Sequence, residues 1–172
     1  GQPNPDKQMW GKTQLNWLKN QLLTSRAPFK IIANGSPILN KYNKYDCMVH
    51  YVLEQEELIK FIQEEQIEGV LFITGDRHHS EISKRKLSSG YYLYDIVNSS
   101  LTAGSHTLSD YENTNPDLLT DKTVNQNNYT RFSVSGNAKE RVLKLEFKDF
   151  KGNVLKEWMV TENELKFRNE SK

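Results

Sequence analysis

The sequence predicts an α/β fold in which a mixed β-sheet is flanked by helices. Over residues 12–74, amphipathic helical segments alternate with short apolar runs, the order that parallel strands joined by crossovers require. From residue 129 onward the pattern becomes apolar–polar alternation broken by a hairpin turn, which predicts antiparallel strands. At 172 residues the chain is long enough for one domain with its own core.

Residues 1–10 are polar and proline-rich and read as a linker or disordered lead-in, with Gly1 as a tag remnant. Across Lys12–Ser25, Leu15, Leu18 and Leu22 fall at helical spacing, with Trp17 and Leu23 widening the stripe. Thr13 is placed to cap this helix, Pro28 lies beyond its end, and Trp17 is expected in the core. Phe29–Ala33 reads as a short strand ending at Asn34-Gly35-Ser36-Pro37. A loop with Tyr42, Tyr45, Cys47, Met48 and His50 follows. Glu54–Glu65 predicts a second helix that buries Leu58, Phe61 and Ile62.

Val70–Thr74, bounded by Gly69 and Gly75, reads as a strand buried on both faces. Tyr91–Val97 is the next strand, and Ser99–Gly104 its exit loop. His106–Gln126 is polar and aperiodic, the pattern of a long surface excursion. Tyr129–Ser135, Val142–Phe147 and Val154–Val160 alternate, the last two around an Asp149–Asn153 turn in which Gly152 supplies conformational freedom. Two helices cannot cover both faces of a mixed sheet of about six strands. One apolar face therefore stays open unless another sheet packs on it, the chain self-associates as a homodimer, or a rearranged carboxy-terminal segment folds over it.

A net charge of +1, from 23 basic and 22 acidic side chains, gives no field to draw the chain to nucleic acid or an anionic membrane. Lys84-Arg85-Lys86 is short and reads as a solvated strand or turn. No run approaches the ~20 apolar residues of a spanning helix, so membrane insertion is not expected. No signal-peptide core is present, so the chain reads as a mature or excised piece. The single cysteine, Cys47, excludes an internal disulfide framework and reads as a buried small apolar residue.

The chemistry is concentrated in Gly75-Asp76-Arg77-His78-His79, immediately after a buried strand, where open α/β sheets place their ligands. In an extended chain Asp76 and His78 would point the same way and converge on one ion. A carboxylate and an imidazole suit Zn, Mn or Fe, and the absence of thiols argues against a closed structural zinc centre. The same residues also suit an ordinary turn, with Asp76 as a cap and the histidines exposed.

Taken in order, further segments resemble one family. They are Gln14-Leu15-Asn16-Trp17-Leu18, Ala27-Pro28-Phe29-Lys30-Ile31-Ile32, Tyr51 with Glu54, Glu57-Leu58 and Phe61-Ile62, then Gly69-Val70 and Gly75-Asp76-Arg77-His78. Ser100-Leu101-Thr102-Ala103-Gly104 and Asp149-Phe150-Lys151-Gly152 complete the series. The chain resembles the carboxy-terminal half of the PhoD-like (alkaline phosphatase D type) metallophosphatases of the calcineurin-like metallophosphoesterase superfamily.

The resemblance implies that residues 1–172 form a single partial domain, the carboxy-terminal portion of a four-layer αββα sandwich whose amino-terminal half lies elsewhere. It also implies two metal ions at the strand ends, divalent or trivalent (Zn, Mn, Fe or Ca), and hydrolysis of a phosphate ester. Asp76 and His78 match the family's Gly-Asp-x-His ligand positions. Asn34 lies near another late ligand position, although by itself it reads as a turn residue. Arg77 and His79 would face a substrate phosphate or water, with solvent the simpler expectation. The family is mostly exported, which implies a secreted, periplasmic or cell-surface location. The superfamily's early motifs, which carry most metal ligands, have no counterpart here, and Met48 stands where many relatives have tryptophan. The piece alone is therefore expected to be inactive, and a non-catalytic binding module on the same scaffold is the alternative.

Overall fold

The computed structural model describes residue 4 and residues 6–168. The α-helices are α1 (Gly11–Thr24), α2 (Val52–Glu64) and the single turn α3 (Asp110–Asn113), with short 3-10 turns at Met48–His50 and Thr120–Lys122. The strands are β1 (Lys30–Ala33), β2 (Val70–Thr74), β3 (Ser80–Lys86), β4 (Tyr92–Asn98), β5 (Tyr129–Ser135), β6 (Val142–Lys148) and β7 (Val154–Thr161). They form two sheets. The first, in order β1-β2-β4-β3, is mixed: β1, β2 and β4 run parallel and β3 is antiparallel. The second is an antiparallel meander, β5-β6-β7.

The period-two geometry of β2 explains why it is apolar throughout. Val70 and Phe72 pack with Leu15, Leu22, Leu58 and Ile62 beneath α1 and α2. Leu71, on the opposite face, packs with Ile82, Tyr94 and Ile96 against Leu143, Leu145, Phe147 and Val160 of the second sheet. The expected single sheet of about six strands is thus two sheets with seven. The face expected to stay open is covered within the chain, which removes the apolar-surface argument for a homodimer. On its far side the second sheet carries an ion-pair lattice, Arg131 to Glu146 and Lys144 to Glu146 and Glu157. The described residues therefore make three layers, helix on sheet on sheet.

Several expectations at the element level are corrected. The first helix is capped from a distance. The Glu54 carboxylate, on α2, accepts the N–H groups of Met9, Trp10 and Gly11, which leaves Thr13 no capping role. Met9 and Trp10 pack against the core, so the end of the expected 1–10 linker belongs to the fold. Residues 1–3 and 5 of that linker, and 169–172, lie outside the described residues. Trp17 is 60% exposed rather than core. β3 was not legible as a strand, because Ser80, Glu81 and Ser83 are polar yet buried. Their cover is the 106–126 segment, which bridges β3 at Ser80–Val124 and Ser83–Leu118 and acts as a strap rather than a free excursion.

β1 and β2 meet at Gly69, whose φ of +74° suits glycine and where a Cβ would lie 2.1 Å from the Pro28 carbonyl oxygen. At the other end, Asp95 of β4 is fully buried. Its carboxyl accepts from the Thr74 hydroxyl and from the N–H groups of Ile38 and Leu39. Burial, opposed by these hydrogen bonds, pushes its pKa up to about 6. A pKa raised by folding means that the protonated carboxyl is favoured in the native state. Its contribution to stability is full below pH ~4 and is lost as pH rises to about 6. In Asp95→Asn, the amide oxygen would keep the two N–H donors and the amide nitrogen would face Thr74. Between pH 4 and 6 the native chain should lose roughly 2–3 kcal/mol relative to this variant, at about 1.36 kcal/mol per pKa unit. Urea melts across that range would check it, and parallel curves would refute it.

Candidate functional site

The strand ends of β1, β2 and β4 gather at one edge of the first sheet. Beyond Thr74 the chain does not stay extended: Asp76 (φ 72°) and His78 (φ 57°) are both left-handed. The expected convergence through an extended strand is therefore corrected. Two left-handed residues turn the segment so that Asp76 and His78 face outward while Arg77 and His79 are buried, at 6% and 1% exposure. Such backbone is costly for residues other than glycine and is held by surrounding contacts.

Those contacts are specific. The Nδ1 atom of His78 lies 2.9 Å from the carbonyl oxygen of Gly104. A carbonyl can only accept, so Nδ1 carries the proton and Nε2 presents its lone pair. The His106 N–H donates to the His78 carbonyl, and the two imidazoles lie 4.9 Å apart. Asp76 and His78 then line one cleft of about 400 Å³ with Tyr45, Asp46, Arg77 and His106. Among the described residues no three His, Cys, Asp or Glu side chains are gathered closely enough to hold an ion. The oxygen and nitrogen donors, with His78 already in the metal-ready tautomer, fit one side of a metal site and do not complete it.

The remaining predicted residues separate. Asn34 accepts from the Trp10 indole and donates to the Ser36 carbonyl, so its carboxamide is committed to the turn. Arg77 and His79 do not face solvent, contrary to the simpler expectation. The Arg77 guanidinium pairs with Glu112 and lies 5.2 Å from the centre of the Tyr45 ring. His79 donates through Nε2 to Glu81, which is also held by the Asn40 amide. For Glu112, burial opposes ionisation, but hydrogen bonds from Ser109 and the Arg77 charge hold its pKa below the usual carboxylate range. A separate apolar cleft of about 460 Å³ between α1 and β1, around Trp17 and Ile31, has Lys30 as its only titratable wall group. It offers nothing for acid–base or metal chemistry.

Tyr45, Asp46, His106 and Asn127 were missed from sequence. The Asn127 amide donates to the carbonyls of Ser100 and Ala103, clamping the loop whose next residue, Gly104, orients His78. Its neighbour Asn128 accepts from Ser80 and Asn98, tying β3, β4 and the approach to β5 together. Asparagines in a polar stretch give no sequence signal of such a role.

The model of the PhoD-like phosphatase family matches residues 2–154, which takes in both Asp76 and His78. The chain belongs to the PhoD-like phosphatase family. Alkaline phosphatase D of Bacillus subtilis (strain 168) is 29% identical over 120 residues, covering 60% of this chain and 20% of the relative. A solved structure of PhoD superposes with a TM-score of 0.78 at 19% identity, over 98% of this chain and 36% of that chain. This PhoD-like chain thus spans about a fifth of the curated relative and about a third of the solved one. Its fold is a partial phosphatase sandwich, and the second sheet covers the first without rearrangement.

Replacing Asn127 with Asp would turn the clamp's donors into acceptors facing carbonyl oxygens. The loop should loosen, at a cost of about 1–3 kcal/mol. Nitrogen-15 NMR of His78 should then show both tautomers where the native chain shows one. An unchanged His78 signature would disprove the coupling.

Proposed function

We propose that this chain supplies one wall of the active site of a metal-dependent phosphoric ester hydrolase. Asp76 Oδ and His78 Nε2 are the ligands it contributes. The observation that carries this reading is the Gly104-tethered His78, whose free Nε2 shares a cleft with Asp76 at the carboxyl ends of parallel strands. Asp76 and His78 would hold part of a centre of two metal ions, of Zn, Mn, Fe or Ca, which when bound would supply Lewis-acid activation of water and charge neutralisation for a phosphate mono- or diester. Around them this chain orients and excludes. Gly104 fixes the His78 ring, and the Arg77–Glu112 pair closes one side of the cleft. His106 caps the His78 carbonyl. The remaining ligands would come from the amino-terminal half of the same domain.

Family membership supports a phosphatase parent and a phosphate ester substrate. An exported location, secreted, periplasmic or cell-surface, belongs to the same proposal. Among the described residues no helix is long and apolar enough to cross a membrane. The second reading, a non-catalytic binding module, is favoured by one observation, the lack of a complete ligand trio among the described residues. The sequence encoded before Gln2 separates the two. Aspartate, Gly-Asp and Gly-Asn-His motifs there support the enzyme, and their absence supports the module.

The 172-residue chain by itself should show no measurable phosphoesterase turnover, whereas the full-length protein should be active. Comparable rates for the two would sink the proposal. In the full-length protein His78→Ala should lower metal content and activity together by about tenfold or more. His79→Ala, although destabilising because it leaves the buried Glu81 with the Asn40 amide alone, should leave the metal content of the folded fraction unchanged. Elemental analysis returning the reverse ranking would reassign the ligands.

A further inference from the structure

Behind the Asp76–His78 cleft lies a second cavity of about 210 Å³, lined by Lys44, Tyr45, Arg77, His79, His106, Thr107, Ser109 and Glu112. It shares Tyr45, Arg77 and His106 with the cleft, so the two adjoin. Its wall is rich in donors. The one carboxylate, Glu112, is already consumed: one oxygen accepts from Arg77, the other from the Ser109 hydroxyl and N–H. Lys44 has no carboxylate partner among the described residues, and its Nζ lies 5.6 Å from the centre of the Tyr111 ring. Two buried nitrogens of these residues, Arg77 Nε and His79 Nδ1, have no hydrogen-bond partner among the described residues. Because His79 donates to Glu81 through Nε2, its Nδ1 is the acceptor of the neutral ring and adds no donor. A guanidinium Nε always carries its proton, so Arg77 is a buried donor in need of an acceptor.

From this geometry we infer that the cavity is a subsite for a phosphate-sized oxyanion, held by Lys44, Arg77 and Thr107 beside the metal cleft. Excess donors with a spent carboxylate select an anion over a cation or a neutral apolar group. A cation would meet Lys44 and Arg77, and an apolar group would leave the Arg77 Nε–H unsatisfied. The anion is either a second charged group carried by the substrate or free phosphate. The inference rests on the proposed function only for the first of these sources.

The test begins with the chain in the presence of a chelator, so that no metal-bound anion contributes. Inorganic phosphate is titrated while the Arg77 Nε–H and the His106 and His79 ring signals are followed by NMR. A saturable shift is expected, weakened about tenfold or more in Lys44→Ala and retained within about twofold in His78→Ala. Lys44 is exposed, so its truncation leaves the fold intact. Thr107→Val is a second variant with the same expected direction. No saturable shift, or a shift indifferent to both Lys44→Ala and Thr107→Val, overturns the inference. Loss in His78→Ala alone does so too, by moving the anion to the cleft. Because metal is absent, these outcomes do not depend on whether Asp76 and His78 are ligands. In the active full-length protein, Lys44→Ala should then raise KM for a bisphosphorylated alcohol and spare a phosphomonoester of a neutral alcohol if the anion is part of the substrate. Relief of phosphate inhibition with both KM values unchanged identifies free phosphate as the occupant.

Discussion

One buried carboxyl group organises the strand-end edge of the first sheet. Asp95 sits in the middle of β4 and joins the end of β2, through Thr74, to the start of the long loop leaving β1, through Ile38 and Leu39. That loop has little regular structure, yet Ile38, Leu39 and Met48 are fully buried, so its backbone donors need partners away from water. An apolar residue at position 95 would leave three groups unsatisfied at once. A second buried polar chain runs alongside, from Asn40 through Glu81 to His79. Between them the two carboxyls hold the loop that carries Lys44, Tyr45 and Asp46 to the cleft.

The site itself is a short piece of costly backbone held on a rigid frame. Left-handed φ at both Asp76 and His78 gives alternate residues opposite environments over four positions, without a ladder of hydrogen bonds. Each such residue costs of order 1 kcal/mol or more. The inward pair offsets that cost, since Arg77 and His79 are anchored to carboxylates on the strap and on β3. Burying the alternate side chains thus fixes the outward ones. Precision at Asp76 and His78 is a consequence of packing at Arg77 and His79.

Much of this was legible in the sequence, for physical reasons that differ by element. The strand Val70–Thr74 announced itself because both of its faces are covered, and the helix around Leu58 because only one is. Asp76 and His78 stood out because polar residues follow a buried run at once. β3 was silent because Ser80, Glu81 and Ser83 are buried through hydrogen bonds and a covering strap, and apolar periodicity does not record such burial. Trp17 misled because a helical stripe wider than the facing surface leaves its flank exposed. Glu54 as a remote cap, Asn127 as a clamp and His106 beside His78 arise from contacts between segments far apart in the chain, where no local pattern exists.

The burial of Leu71, Ile82 and Ile96 against β6 and β7 also sets a schedule for the newly made chain. These side chains belong to strands completed earlier, and their cover, around Leu143, Phe147 and Val160, is synthesised after them. The Gly69 N–H, next to β2, likewise waits for the carbonyl of Leu165. At ribosomal speeds of about 5–20 residues per second, one whole side of the first sheet stays wet for roughly 3 to 13 s. During that interval the nascent protein is a sticky half-sandwich. Premature termination anywhere between Asn98 and Val142 would release it with the sticky side out, a substrate for chaperones and proteases rather than a smaller version of the domain.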